Sequence, residues 1–167
     1  MKFISISPEK ITDNTFTLIG TEWMLITGGT IQKHNCMTAS WGGFGVLWHK
    51  PVVFVFVRPQ RYTYEFLQNN EFFTLSFFDL PYKPQLQFCG TKSGRDFDKA
   101  KECNFSVIET KNKAIGYEQA KLIIECKTLF SQQLSQENFI DTTPLHHYSQ
   151  GDFHVQIIAE ITDCLSQ

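Results

Sequence analysis

The chain has 167 residues, 42% of them hydrophobic, with 16 phenylalanines and a formal net charge of −2. This length predicts a single domain over residues 1–167, and the absence of a basic stripe argues against a nucleic-acid-binding surface. No apolar run approaches the roughly 20 residues that span a membrane. The N-terminus lacks a signal-peptide core, so we expect a cytoplasmic protein.

The N-terminal half alternates apolar segments with turn residues, a pattern typical of short strands. It predicts an edge strand near Ile4, a helix over 15–19 capped by Asp13 or Asn14 and ended by Gly20, strands over 23–27 and 37–41, a sharp turn or a close backbone approach to a ligand at 42–45, a strand over 52–57 buried on both faces, and a helix over 64–68.

The C-terminal half continues in the same way. It predicts strands over 72–78, 120–130 and 155–161, a weaker strand over 105–108, one or two helical turns over 85–88, and a helix over 99–102 capped by Asp96 or Asp98. Because strands outnumber the short helices, the fold class expected is a mainly β, antiparallel barrel. A doubly wound α/β fold would need long helices between successive strands.

Two segments carry polar groups suited to a ligand. Arg58, Arg61 and Thr63 lie between a buried strand and a helix start, where guanidinium groups and free N–H groups bind anions such as phosphate. The two arginines are equally well explained as solvated charges at a strand end. Residues 89–96 are dense in glycine, hydroxyls and charge, which favours a ligand-binding loop.

Five cysteines are present, Cys36, Cys89, Cys103, Cys126 and Cys164, without a C-x-x-C pair. An odd number at these spacings indicates reduced, packed thiols. A redox role for Cys36 or Cys89 is the alternative, but neither has a resolving cysteine adjacent in the sequence.

Three segments in this order, 35–41, 58–63, and 89–96 with Lys99, resemble the flavoredoxin branch of the flavin reductase-like, FMN-binding split-barrel proteins. The match runs from about Trp23 to Lys99. The C-terminal third agrees mainly in pattern, including Glu125-Cys126 and the surroundings of His146-His147. The resemblance implies a Greek-key antiparallel β-barrel that forms a homodimer and binds FMN near the subunit interface.

The resemblance also implies a set of cofactor-binding residues. The strand with Asn35, Met37, Thr38, Ala39, Ser40 and Trp41 would line the isoalloxazine ring; Arg58, Gln60, Arg61 and Thr63 would hold ribityl oxygens and phosphate; Cys89, Gly90, Thr91, Ser93, Gly94, Arg95, Asp96 and Lys99 would close over the cofactor. Alternatively, Lys99 is a solvated helix charge, and Asp96 pairs with Arg95 or Arg61 to order the loop.

The activity implied is transfer of electrons from NADH or NADPH onto FMN and then to free flavin or a redox partner. No catalytic acid, base or nucleophile is expected, because the flavin carries the electrons. A non-catalytic FMN electron carrier is the first alternative, and an interaction module without flavin is the second.

Histidines and aromatic residues leave further alternatives. His146, His147 and His154 invite a metal site, but adjacent histidines on a strand would point to opposite faces, so no metal is expected. An alternative interpretation places one of these histidines near the flavin or the dimer interface. Trp41, Phe44 and Trp48 either stack on a ring or belong to the core.

Overall fold

A computed structural model describes residues 2–167 of the chain. The strands of this part are β1 (Ile4–Ile6), β2 (Met24–Gly29), β3 (His34–Ala39), β4 (Gly42–Leu47), β5 (Lys50–Val57), β6 (Phe72–Phe77), β7 (Val107–Glu109), β8 (Ile115–Tyr117), β9 (Leu122–Gln133) and β10 (Val155–Ser166). The α-helices are α1 (Thr15–Thr17), α2 (Tyr62–Asn69), α3 (Lys83–Thr91) and α4 (Lys99–Glu102). Among these residues, no helix is long and apolar enough to cross a membrane.

The main sheet is antiparallel, with the strand order β3-β2-β6-β9-β10-β5-β4. The short strand β1 pairs with the C-terminal end of β10, as an edge strand would. β2 and β6 lie side by side although three strands separate them in sequence, which requires the kind of long connection found in Greek-key sheets. The predicted fold class, mainly β and antiparallel with short helices, is confirmed.

The main strands alternate between two apolar clusters. On β2, Met24 and Ile26 join the larger cluster between the long strands, whereas Leu25 joins a second cluster under α3 and α4. This alternation follows from the period-two side-chain directions of a strand. On β3, Met37 faces the first cluster and Cys36 the second, so one strand connects the core to the helical side.

The first predicted helix does not end at Gly20. Asn14 caps α1 by accepting hydrogen bonds from the backbone N–H groups of Phe16 and Thr17, at 3.0 and 3.2 Å. The chain then continues as a π-helical segment, Leu18–Glu22, straight through Gly20. Burial of Leu18 and Ile19 in the main core stabilises this segment against the intrinsic cost of the glycine.

The glycine-rich stretch at 42–45 forms the strand β4, so the predicted turn there is wrong. β4 pairs with β5, and the hairpin turns at Trp48 and His49, whose φ angles are 53° and 58°. A Cβ on Gly42 would lie 2.5 Å from the Phe54 carbonyl oxygen, so glycine is needed for close backbone approach. Trp48 is therefore exposed at a turn and does not belong to the core.

Helix α3 is longer than predicted and takes in the beginning of the expected ligand loop. Cys89, Gly90 and Thr91 are helical, and the irregular segment begins only at Lys92. Proline near the start of α3 suits a position where its missing N–H is not needed. A Cβ at Gly90 would come within 3.2 Å of Thr38 Cβ on β3. Glycine at this helical position therefore lets α3 pack closely on β3.

Candidate functional site

A hollow of about 200 Å³ lies beside the end of β3. It is lined by Met37, Thr38, Ala39, Ser40, Trp41, Phe56, Arg58, Arg61 and His154. The exit of β3 and the end of β5 supply most of this wall, so the strand pattern places a continuous backbone edge along it. The Thr38 hydroxyl donates to the Leu86 carbonyl and thereby ties β3 to α3.

A second hollow, of about 170 Å³, adjoins the first and shares Met37 and Arg61 with it. Its other lining residues are Asn35, Gln60, Tyr62, Thr63, Thr91, Lys92, Ser93, Gly94, Arg95 and Lys99. The start of α2 lies here, and the first N–H groups of an α-helix have no partner within the helix. Four cationic side chains and a helix start therefore face one small space.

Arg61 joins the two hollows. Its guanidinium donates to the Gly90 carbonyl at 2.8 Å. Burial and the neighbouring charge of Arg58 lower the pKa of Arg61 below its ordinary value, but a guanidinium keeps its proton in proteins. Arg61 thus provides a fixed positive charge at the junction.

Asn35, Thr63 and Gly94 form a tight contact at the back of the second hollow. The Asn35 amide donates to the Thr63 hydroxyl at 2.8 Å, and Thr63 is buried on the first turn of α2. A Cβ added to Gly94 would lie 1.9 Å from Asn35 Oδ1. Only glycine leaves room for the loop to pass over this side chain.

Lys99 is buried, with 5% of its surface exposed, so its interpretation as a solvated helix charge is wrong. Its ammonium donates to the backbone carbonyls of Cys36 and Cys89, each at 2.8 Å. Burial lowers the pKa of Lys99. Through these two bonds one side chain of α4 connects β3 and α3, while it also lines the second hollow.

Arg58 lies away from the second hollow. Its guanidinium pairs with Asp152 and donates to the His147 carbonyl at 2.9 Å. Gln60 Nε2 also donates to Asp152, at 2.9 Å. Arg58 therefore anchors the segment before β10, and of the two hollows it lines only the first.

The histidine region packs on Trp41. The Trp41 ring centroid lies 5.1 Å from that of His147 and 5.0 Å from that of His154. His154 shares a hydrogen bond of 3.0 Å with the Tyr148 hydroxyl. Burial, with the charges of Arg58 and Arg61, lowers the pKa of His154 to about 4, so the imidazole is neutral at pH 7.

His146 and His147 lie on a 3₁₀-helix, Thr143–Tyr148, and not on a strand as expected. Among residues 2–167, no cluster of ligating side chains could hold a metal ion. Phe44 packs on the main core, with its ring 6.0 Å from that of Phe77. Of the three aromatic residues considered for stacking, only Trp41 lines the first hollow.

All the predicted cofactor-binding residues except Cys89 line one of four neighbouring hollows. Gly90 belongs to a hollow of about 200 Å³ with Trp23, and Asp96 to one of about 350 Å³ with Lys99. Cys89 is fully buried between other cysteine thiols. The expected pairing of Asp96 with Arg95 or Arg61 is wrong, because Arg95 pairs with Glu65 and packs over Tyr62, and the Arg61 guanidinium donates to the Gly90 carbonyl.

Sequence reasoning missed Phe56, Tyr62 and Lys92 as lining residues. Lys92 and Tyr62 lie inside segments that were predicted to contact the ligand, so their position in the sequence could have identified them as lining residues. Phe56 was read only as part of a strand buried on both faces, although it is partly exposed toward the first hollow.

Comparison with known proteins identifies the family. Residues 16–166 match the family described as "Flavin reductase like domain". No protein of curated function matches the chain.

Several solved structures share the fold. Flavoredoxin from Methanosarcina acetivorans is 21% identical, with a TM-score of 0.71 over 97% of this chain and 76% of that one. An FMN-binding protein from Thermus thermophilus is 18% identical, with a TM-score of 0.68 over 95% and 75%. An NADH:FAD oxidoreductase from Streptomyces globisporus is 15% identical, with a TM-score of 0.66 over 88% and 76%. The match over residues 16–166 shows that the chain belongs to the flavin reductase-like domain family, and its fold is the split barrel of that family.

Proposed function

We propose that the chain binds FMN across the two adjoining hollows and uses it to pass electrons from NADH or NADPH to free flavin or a redox partner. The observation that carries the proposal is that the first hollow, beside β3, adjoins the cationic second hollow and shares Met37 and Arg61 with it. Relatives of the same fold are named flavoredoxin and FMN-binding protein, which supports FMN as the cofactor.

The residues fit the ring of this cofactor. The flavin ring is flat and mostly apolar, with hydrogen-bonding atoms along one edge, and small-molecule sites hold such groups with apolar walls and a few polar contacts. Met37, Ala39 and Phe56 provide apolar wall, and the backbone of 37–41 provides N–H and C=O groups. The Ser40 hydroxyl is a further candidate partner for the ring edge.

The second hollow fits the phosphate. Arg61, Lys92, Arg95 and Lys99 are cations, and the start of α2 adds N–H groups and the positive end of a helix dipole. Gly94 fits as well, because it lets the 92–96 segment approach Asn35 without a side chain in between. These four cations and the helix N-terminus would compensate the charge of a dianionic phosphate at this position.

When bound, FMN supplies the hydride and electron chemistry. The chain's own residues hold and orient the cofactor. Trp41 and His154 bound one side of the first hollow, and Arg58 fixes the segment that carries His147 and His154. The neutral His154 adds no charge there, so it does not repel a nicotinamide cation. A relative named NADH:FAD oxidoreductase supports a nicotinamide donor.

The test is the visible absorption spectrum of the purified protein, before and after addition of FMN and then of NADH or NADPH without oxygen. A flavin spectrum that bleaches rapidly identifies a reductase and its donor. A bound flavin spectrum that persists, with bleaching only by a reducing protein, identifies the non-catalytic FMN carrier. A protein that takes up no FMN refutes both.

We expect the functional unit to be a homodimer. The β4–β5 hairpin exposes Val46 and Trp48, at 77% and 55%, and Trp41, before the other end of β4, is 42% exposed. Large apolar side chains exposed along one strand and its turn are typical of surfaces that a partner covers. Light scattering should therefore give twice the chain mass of 19.3 kDa, and a mass near 19.3 kDa would contradict the dimer.

A further inference from the structure

Three thiols that are distant in the sequence meet beneath the proposed phosphate hollow. Cys36 Sγ on β3 lies 3.8 Å from Cys89 Sγ on α3, and Cys89 Sγ lies 3.7 Å from Cys103 Sγ after α4. A disulfide needs about 2.05 Å between sulfurs, so a closure of less than 2 Å would join either pair. The resolving cysteine that the sequence did not show is therefore present in space.

Cys36 is only 1% exposed, but it is the one of these three cysteines that borders a described hollow. It lines the 350 Å³ hollow together with Lys99 and Tyr117, whereas Cys89 lines none of the described hollows. A water molecule occupies about 30 Å³, so this space admits an oxidant of hydrogen peroxide's size. The remaining cysteines, Cys126 and Cys164, are buried in the main core and line none of these hollows.

The surroundings of Cys36 favour its reactive form. Contact with the Cys89 thiol and the positive charge of Lys99 lower the pKa of Cys36, even though burial opposes ionisation. The same contact raises the pKa of Cys89. Lys99 has three N–H donors and uses two on backbone carbonyls, which leaves one for a molecule in the hollow. A thiolate beside a cation is the arrangement found at oxidant-sensitive cysteines.

We propose that Cys36 and Cys89 form a redox-active thiol pair that hydrogen peroxide converts to a disulfide. The Cys36 sulfur attacks one peroxide oxygen, the O–O bond breaks, and the departing hydroxide takes the thiol proton and leaves as water. Cys36 is then a sulfenic acid. The Cys89 sulfur attacks the Cys36 sulfur, the S–O bond breaks, and a second water leaves with the Cys89 proton. Two electrons pass from the two thiols to the peroxide.

The new bond acts on the proposed cofactor site, a consequence that rests on the proposed function. Gly90 follows Cys89, and its carbonyl is the partner of the Arg61 guanidinium. α3 already packs closely on β3, since a Cβ at Gly90 would come within 3.2 Å of Thr38. Movement of Cys89 toward Cys36 therefore displaces the Gly90 carbonyl and with it Arg61. Oxidation should weaken FMN binding about fivefold or more and be reversed by a dithiol.

The experiment is peptide mapping of the full chain by mass spectrometry under non-reducing conditions after hydrogen peroxide and alkylation, with and without FMN. The expected product is a Cys36–Cys89 cross-link that dithiothreitol removes, with Cys126 and Cys164 alkylated. Cys89→Ser should leave Cys36 as a sulfenic acid that dimedone traps. Cys126→Ser is the matched control and should give the same cross-link as the unaltered chain.

Three results would overturn the proposal. One is that Cys36 and Cys89 stay as reduced as Cys126 after peroxide treatment. Another is a Cys89–Cys103 cross-link that forms equally well in Cys36→Ser. A cross-linked protein with unchanged FMN affinity would refute the effect on the cofactor site. If the reduced protein binds no FMN while the Cys36–Cys89 cross-link still forms, the proposed function fails and the thiol pair stands.

Discussion

Replacement of Arg61 by alanine is the sharpest test of the proposed phosphate hollow. Arg61 is half-buried where the two hollows meet, and its only other described partner is the Gly90 carbonyl, 2.8 Å away. A charge-assisted hydrogen bond to a phosphate contributes about 1–3 kcal/mol. Lys92, Arg95 and Lys99 line the same hollow and retain part of the attraction. We therefore expect a loss of about 2 kcal/mol, which raises the FMN Kd about 30-fold.

The assay is titration of apo-protein with FMN and, separately, with riboflavin, which has the same ring and ribityl chain but no phosphate. Arg61→Ala should weaken FMN binding and leave riboflavin binding within about twofold, because the contact with the ligand that it removes is the proposed one to the phosphate, which riboflavin lacks. Lys127→Ala is a matched control, since this exposed lysine pairs with Glu71 far from the hollows. Unchanged FMN affinity, or an equal loss for riboflavin, would remove Arg61 from the phosphate site.

Three further predictions concern single residues. Gly94→Ala should abolish tight FMN binding, because the new Cβ would lie 1.9 Å from Asn35 Oδ1; Gly43→Ala, where a Cβ meets nothing within 4 Å, should bind normally in the same titration. Glu125 is buried and accepts four hydrogen bonds from Thr110, Asn112 and Thr162, which lower its pKa although burial opposes this. Glu125→Gln should therefore cost about 2–3 kcal/mol in urea unfolding at pH 7, and an unchanged midpoint would contradict this reading. The pKa of His154 is about 4 in the fold against 6.5 ordinarily, so the unfolded chain binds more protons between these values and stability falls as the pH drops from 7 toward 4. His154→Gln should flatten this dependence by at most about 3 kcal/mol, and an equally steep dependence in the variant would show that other groups cause it.

The β-strands could be predicted from the sequence because their signal is local. The apolar run at 52–57 lies within β5 and ends with it at Val57, whereas the strand predicted over 37–41 is displaced toward the N-terminus and ends at Ala39. The glycines at 42–45 were misread for a physical reason: glycine permits a sharp turn and also a close strand pairing, and only the partner strand β5 decides between them. Likewise, α3 extends through Gly90 because β3 lies beside it.

The interior of the site was beyond sequence reasoning because it depends on contacts between distant segments. The position of Lys99 near the predicted ligand loop was visible, but its burial against the carbonyls of Cys36 and Cys89 was not. The same holds for Arg58, whose partner Asp152 lies 94 residues further along the chain. A motif shows where a charged residue lies in the sequence, but only the fold determines whether its charge faces a ligand or another part of the chain.

The ends of two helices explain how the cations of the second hollow are held. α2 begins at this hollow, so its N-terminal N–H groups present partial positive charge. α3 ends beside it, and the carbonyls of its last turn carry partial negative charge. Arg61 and Lys99 donate to two of these carbonyls, those of Gly90 and Cys89. The negative end of α3 thus fixes both cations before any ligand arrives. Because their side-chain entropy is lost on folding, an anion that enters the hollow does not have to order them, and more of its interaction energy remains as affinity.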